Sequence, residues 1–160
     1  MDLIMRKVKA DELDRVYEIE KVAFPPEEAA SLEKYIWRQK NYPDYFFVAE
    51  KNDKIVSVVC AIPTNQELIN NDIFDMEKLP FGKIGAVVSV MADENFQCQG
   101  ITGELIKYSL AKLKENGMEK SCLTCKEHLI HYYSKFGYEL LGVSESTHGG
   151  AVWYDMVCKL

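Results

Sequence analysis

The chain has 160 residues, 48% of them hydrophobic, and a formal net charge of −6. That length suits a single domain, 1–160, with an ordinary apolar core, while the acidic balance argues against nucleic acid, whose phosphates need clustered Lys and Arg. No run approaches the roughly 20 apolar residues of a membrane span, and Met1–Lys7 lacks the charged-then-apolar layout of a secretory leader, so a cytoplasmic location off the membrane is expected.

In chain order, Leu3–Val8 predicts a first strand. Asp11 is placed as the cap of a helix running to about Phe24, with Leu13, Val16, Tyr17 and Ala23 on one face. Pro25-Pro26 stops that helix. Ser31 caps a second helix through Lys40. Tyr45–Glu50 and Ile55–Ile62 read as strands joined by Lys51-Asn52-Asp53-Lys54, a hairpin signal. The stretch Pro63–Gly82 is polar and irregular, with a short helix expected around Gln66–Ile69.

Ile84–Ala92 is rich in β-branched and small residues, which suits a strand buried on both faces. Asp93-Glu94-Asn95 breaks it. Gln97-Cys98-Gln99-Gly100-Ile101-Thr102-Gly103 then leads into a helix over Glu104–Asn116, whose Leu105, Ile106, Leu110 and Leu113 keep helical spacing. The first N–H groups of a helix lack internal partners and point outward, so a strand, loop and helix start can cradle an anion. Gly100 and Gly103 carry no Cβ to keep a phosphate away from that backbone. The pattern is neither Gly-x-Gly-x-x-Gly nor a Gly-Lys-Ser/Thr loop, and a βα turn with packing glycines fits the same residues.

Asn116-Gly117 ends the helix. Ser121–Cys125 is a fifth buried strand, Leu129–Phe136 a short helix, and Glu139–Ser146 and Ala151–Cys158 a last pair of strands turning at His148-Gly149-Gly150. Five cysteines are odd in number and sit mostly in apolar runs. Cys122 and Cys125 share a strand but face opposite sides, so they suit neither a shared metal nor an easy disulfide. No metal site is expected, and the thiols read as reduced.

The second half decides between the readings. With Gln97-Cys98-Gln99-Gly100-Ile101-Thr102 followed by Tyr132-Tyr133-Ser134-Lys135-Phe136-Gly137-Tyr138, the chain resembles the GCN5-related N-acetyltransferase (GNAT) superfamily. That family carries a Gln/Arg-x-x-Gly-x-Gly/Ala loop for the pyrophosphate of acetyl-CoA and a later Phe-Tyr-x-Lys-x-Gly-Phe segment. A narrower likeness to the arylalkylamine N-acetyltransferases lies in Val16–Glu20, in Ala23-Phe24-Pro25, and in Cys125–Tyr138 followed by Gly142-Val143-Ser144. The resemblance implies an α/β fold: a mixed sheet of about seven strands, helices on both faces, and a splay between strands 4 and 5 that admits the pantetheine arm.

It further implies an enzyme that moves acetyl from acetyl-CoA to a primary amine, arylalkylamine-like or aliphatic, by direct attack in a ternary complex. Gln97, Cys98, Gln99, Gly100, Ile101, Thr102 and Gly103 would hold the cofactor pyrophosphate, and Val90, Met91 and Ala92 the pantetheine through backbone groups. Tyr133 takes the general-acid position, protonating the departing thiolate; a packing tyrosine is the plain alternative. Phe24, Pro25, Thr124 and Trp153 align with positions lining the amine pocket. Thr102 stands where the family prefers Gly or Ala, and Cys98 where Gly is common.

The two histidines that the arylalkylamine enzymes carry on the strand before the loop are replaced by Ala86 and Val88. Of the three histidines present, His148, in the final loop, is favoured over His128 and His131 as a substrate contact or proton relay; a water chain to Glu28 is another route. Acetylation of a protein N-terminus or lysine, and an acyl-CoA-binding module without turnover, remain as alternatives. The sequence leaves open the acceptor amine and whether the chain forms a homodimer.

Overall fold

The computed structural model describes residues 3–66, 68–69, 79–146 and 148–160. In chain order the elements are β1 (Leu3–Lys7), α1 (Leu13–Ala23), α2 (Leu32–Asn41), β2 (Phe46–Lys51), β3 (Lys54–Thr64), β4 (Ile84–Ala92), α3 (Ile101–Glu115), β5 (Lys120–Cys125), α4 (Ile130–Ser134), β6 (Glu139–Val143) and β7 (Tyr154–Lys159). The strands form one seven-stranded sheet in the order β1-β2-β3-β4-β5-β7-β6. Its β4–β5 pair is parallel, whereas β1–β2, β2–β3, β5–β7 and β6–β7 run antiparallel. The chain divides into two compact units, Met1–Cys60 with Ser89–Ser109, and Ala61–Val88 with Leu110–Leu160.

In the first unit the β2–β3 hairpin turns at Asn52 and Asp53, with φ of 52° and 64°. Two successive left-handed residues give the turn whose twist matches paired strands. Successive strand residues face opposite sides, and β2 shows which helices cover which side. Phe46 packs on Tyr35 of α2 with ring centroids 5.7 Å apart, and Phe47 packs edge-on against Tyr108 of α3 at 5.8 Å. The sheet therefore carries helices on both faces.

Ser31 caps α2 as expected, its hydroxyl accepting from the Lys34 N–H at 3.2 Å. Asp11 does not cap α1. A 3-10 turn over Ala10–Glu12 intervenes, and Glu12 reaches back to the Lys9 N–H at 2.8 Å while pairing with Arg6. The Arg6 guanidinium, followed by burial and the Lys9 N–H, sets the balance that holds the Glu12 carboxyl below its usual range.

In the second unit the parallel ladder joins Ile84–Val87 to Lys120–Leu123, and β4 runs on to Ala92 beyond it. This is the splay that the family resemblance implies. Gly85 is required by close packing: a Cβ there would lie 2.9 Å from Leu113 Cδ1 of α3. Beside it, Ser121 donates to the Gly85 carbonyl at 2.9 Å, so the Tyr138 hydroxyl is the donor in its 2.7 Å bond to Ser121.

Two expectations fail in this unit. The described residues Gln66, Leu68 and Ile69 are not helical, and Glu67 lies outside the described residues. Their backbone is committed elsewhere: the Gln66 N–H to the Thr64 hydroxyl at 3.2 Å, the Gln66 carbonyl to the Cys122 thiol, and the Ile69 carbonyl to the Ser144 hydroxyl. The last two strands also stop short of their expected ends, although His148-Gly149-Gly150 does form a turn, with the Ala151 N–H donating to the His148 carbonyl at 3.4 Å. The strands end at Val143 and resume at Tyr154, and a 2.7 Å bond from the Ser144 N–H to the Trp153 carbonyl closes the connection.

Gly85→Ala is expected to destabilise the chain by about 1–3 kcal/mol, the range for overpacking a filled site. A thermal melt of the variant checks this, and an unchanged midpoint would mean that α3 moves away freely.

Candidate functional site

In the first unit β4 leads through a short 3-10 turn, Glu94–Phe96, into the exposed loop Gln97–Gly100 and then α3. The helix begins at Ile101, three residues earlier than the spacing predicted, so Ile101, Thr102 and Gly103 form its first turn. Cys98 and Gly100 both take left-handed backbone, with φ of 62° and 79°. That geometry turns the chain sharply before the helix and leaves the first N–H groups of α3 facing outward. A Cβ on Gly100 would meet nothing within 4 Å, so an anion can approach the backbone there. The loop leaves room for an anion at its backbone.

Three tethers hold the cradle. The Ser57 hydroxyl of β3 donates to the Met91 carbonyl at 2.9 Å, so Thr102 must be the donor in its own 2.9 Å bond to Ser57. Thr102 thus ties the helix start to the strand, which accounts for a hydroxyl where the family prefers Gly or Ala. Asp93 accepts from the Asn95 N–H at 2.8 Å and from Arg15 at 2.5 Å, while Arg15 also donates to the Ile55 carbonyl. Lys51 reaches the Gln99 side chain at 3.3 Å and lies over the Phe96 ring. It supplies a cation beside the cradle.

Sequence reading missed Lys51, Arg15 and Asp93. Each acts across the fold, from positions that carry no motif. Burial of Asp93 would raise its carboxyl, but the Asn95 N–H and the Arg15 guanidinium prevail and hold it below the usual carboxylate range.

Val90, Met91 and Ala92 close β4, with Met91 buried and its neighbours half-buried. Below Met91 lies a polar cluster that the sequence also did not announce: Glu20 of α1, Tyr35 and Arg38 of α2, and Ser89 of β4. All four are buried. A signal existed, because Glu20 falls four residues after Val16 and seven after Leu13, on the apolar stripe of α1. Phe24 ends that helix, half-buried, its N–H donating to the Glu20 carbonyl at 3.1 Å; Pro25 is exposed and its carbonyl accepts from Glu28 and Ala29.

In the second unit Tyr133 sits on α4, 7% exposed, with its ring between Tyr132 at 5.3 Å and Tyr138 at 6.0 Å. Among the described residues no group hydrogen-bonds its hydroxyl. Burial, with smaller contributions from Cys125 and Tyr132, pushes the phenol well above its ordinary range. It therefore keeps its proton at neutral pH.

Thr124 is half-buried on β5, opposite Asp155 of β7. The Trp153 indole donates to the His148 carbonyl at 2.8 Å, the two rings lie 6.2 Å apart, and Lys126 stands over the indole at 5.7 Å. His148, Trp153 and Lys126 thus form one corner, whereas His128 and His131 are exposed on and before α4. Among the described residues no group of three His, Cys, Asp or Glu side chains could hold a metal ion, and no helix is long and apolar enough to cross a membrane.

No curated protein matches the chain. Many solved structures share its fold. The GNAT-like decarboxylase GphF, solved in complex with isobutyryl-CoA, superposes with a TM-score of 0.84 at 13% identity, covering 98% of each chain. The ribosomal-protein-S18-alanine N-acetyltransferase of Escherichia coli gives 0.76 at 15% identity, over 99% of this chain and 94% of its own. The PaiA N-acetyltransferase of Thermoplasma acidophilum, solved with coenzyme A, gives 0.74 at 14% identity over the full length of both.

The Asp93 geometry predicts an acid limb in stability. Its folded carboxyl titrates below the unfolded one, so its contribution is complete above the unfolded value of about 3.9 and is lost as pH falls through the folded value. Asp93→Asn should cost about 1.5–3 kcal/mol at neutral pH and converge with the wild type in acid. Parallel denaturation curves at every pH would refute this.

A sequence model of the Acetyltransferase (GNAT) domain matches residues 5–141, and with that match spanning most of a chain already folded as its motifs imply, the protein belongs to the GNAT acetyltransferase family.

Proposed function

We propose that this chain transfers acetyl from acetyl-CoA to a small primary amine. The observation that carries the reading is the loop Gln97–Gly103, with two left-handed residues ahead of a helix start, whose first N–H groups have no partner within the helix. In this reading the backbone of Cys98–Gly103 holds the pyrophosphate, Lys51 adds charge, and Val90, Met91 and Ala92 hold the pantetheine. An N–H near Met91 polarises the thioester carbonyl, which is worth most in a site that excludes water.

Tyr133 gives its proton to the departing thiolate, blocking the reverse attack. Its hydroxyl, without a partner among the described residues, supports that role over packing alone. The acceptor contacts implied by the family resemblance are Phe24 and Pro25 in the first unit and, in the second, Thr124, Trp153 and His148. Aromatic walls suit an apolar or arylalkyl amine and also hold a cation. An overall charge of −6 favours approach of the protonated amine. Four of the five cysteines are buried and all are free, which supports a reducing, cytoplasmic setting.

A second reading, acetylation of a polypeptide amine, draws on the Escherichia coli relative, named for acetylating an alanine of ribosomal protein S18.

The test is thiol release from acetyl-CoA with arylalkylamines, aliphatic amines, polyamines and peptides as acceptors. Turnover with a small amine is expected. Activity confined to peptides would replace this reading with the second, and binding of acetyl-CoA without turnover would leave a binding module.

Two variants divide the roles. Gly100→Asp sets a carboxylate against the phosphates and is expected to abolish acetyl-CoA binding in a titration; unchanged affinity would misplace the cradle. Tyr133→Phe should keep that affinity and lower turnover about 100-fold, typical of losing a general acid. Wild-type turnover would leave Tyr133 as packing.

A further inference from the structure

The buried cluster beneath Met91 has a direction. Glu20, Tyr35, Arg38 and Ser89 are 2%, 0%, 3% and 6% exposed. The Tyr35 hydroxyl donates to Glu20 Oε1. A phenol has one proton, so in the 2.9 Å contact between Tyr35 and Ser89 the donor must be Ser89. Arg38 Nη1 donates to Ser89 Oγ at 3.3 Å. Arg38 thus donates to Ser89, Ser89 to Tyr35, and Tyr35 to the carboxylate. Every hydrogen points towards Glu20.

Stability alone does not explain this arrangement. A buried carboxylate and guanidinium lose hydration that their attraction only partly offsets, and apolar side chains of similar size often hold such a layer as well or better. Position supplies a reason. Ser89 lies two residues before Met91 on the same side of β4, and the Tyr35 hydroxyl is 4.0 Å from the Met91 sulfur. Ser89 also lies beyond Val87, where the ladder with β5 ends. The chain has no histidine on this strand to accept a proton. Ser89 offers an oxygen wired to a carboxylate instead.

Resting on the acetyl-transfer reading above, we propose that Glu20 is the proton sink of the reaction, reached from the attacking amine through Ser89 and Tyr35. As the amine nitrogen forms its bond to the acetyl carbon and the carbon–sulfur bond breaks, the surplus N–H proton passes to Ser89 Oγ. The Ser89 proton passes to Tyr35, and the Tyr35 proton to Glu20, which becomes neutral. The thiolate takes its proton from Tyr133. One proton leaves nitrogen, one reaches sulfur, and Glu20 and Tyr133 reset by exchange with water. Ser89 is the group that touches substrate; Tyr35 and Glu20 act through it.

The charged and titratable groups facing this path are Lys34 and Arg38 from α2 and Cys60 from β3. Burial pushes the Cys60 thiol up to about 12, Arg38 opposing and Glu20 adding to the shift. It stays protonated and takes no part. Lys34 is lowered chiefly by burial, then by Arg38, with Glu20 opposing.

The test compares wild type with Glu20→Gln, Tyr35→Phe and Ser89→Ala, using 2-phenylethylamine and acetyl-CoA between pH 6 and pH 10. Glu20→Gln keeps a hydrogen-bond acceptor of the same shape, so it preserves a structural role while ending proton uptake. Each variant should bind acetyl-CoA as the wild type does in a direct titration. Each should lose about 10- to 100-fold in kcat near neutral pH, with KM for acetyl-CoA unchanged. The deficit should close as pH rises and hydroxide takes over.

A loss of equal size at every pH, or wild-type rates in both Glu20→Gln and Ser89→Ala, would overturn the relay. Should Tyr35→Phe unfold, the other two variants decide the question alone. Wild-type chain that binds acetyl-CoA but acetylates no amine would instead overturn the functional reading, a different outcome from a flat variant profile.

Discussion

One hydroxyl ties the end of β4 to the start of α3. Ser57 on β3 takes the Thr102 proton and gives its own to the Met91 carbonyl. A strand end, a loop and a helix start otherwise have no shared ladder to fix their separation. The loop between them is exposed and turns through two left-handed residues, so its shape depends on how its two ends are anchored. Arg15 and Asp93 fasten the turn before the loop in the same way, through a guanidinium that also caps the Ile55 carbonyl. An anion site built from backbone N–H groups works only if those groups already point at the ligand before it arrives. Ser57, Thr102, Arg15 and Asp93 fix the ends of the loop that such a site would use.

The second unit treats its polar groups differently. Tyr138 donates to Ser121 and Ser121 to the Gly85 carbonyl of β4, and the Trp153 indole donates to the His148 carbonyl. Tyr133, between two aromatic rings, keeps its proton without a described partner.

Much of this was legible beforehand. β4, the loop and α3 follow from the switch between a β-branched run and helical spacing, and the hairpin from Asn52-Asp53. Ser31 announces α2 because its side chain acts within one turn. The misses share a cause: they depend on partners far along the chain. Asp11 lost the α1 cap because Glu12 pairs with Arg6, and the Gln66 and Ile69 carbonyls are committed to Cys122 and Ser144. The final loop is longer than a Gly-Gly signal suggests because Trp153 folds back on His148. Glu20 was visible as a charge on an apolar stripe, yet only contact with Tyr35 gives it meaning. The motif residues stand out through the family resemblance; the residues that position them do not.

Amide hydrogen exchange of the full chain with and without coenzyme A tests the proposal that Val90–Gly103 is one unit for holding the cofactor. The account predicts slowed exchange in two groups, the amides of Cys98–Gly103 and those of Val90–Ala92, with the hairpin at Asn52-Asp53 unchanged. Slowed exchange elsewhere with Cys98–Gly103 unaffected would contradict it.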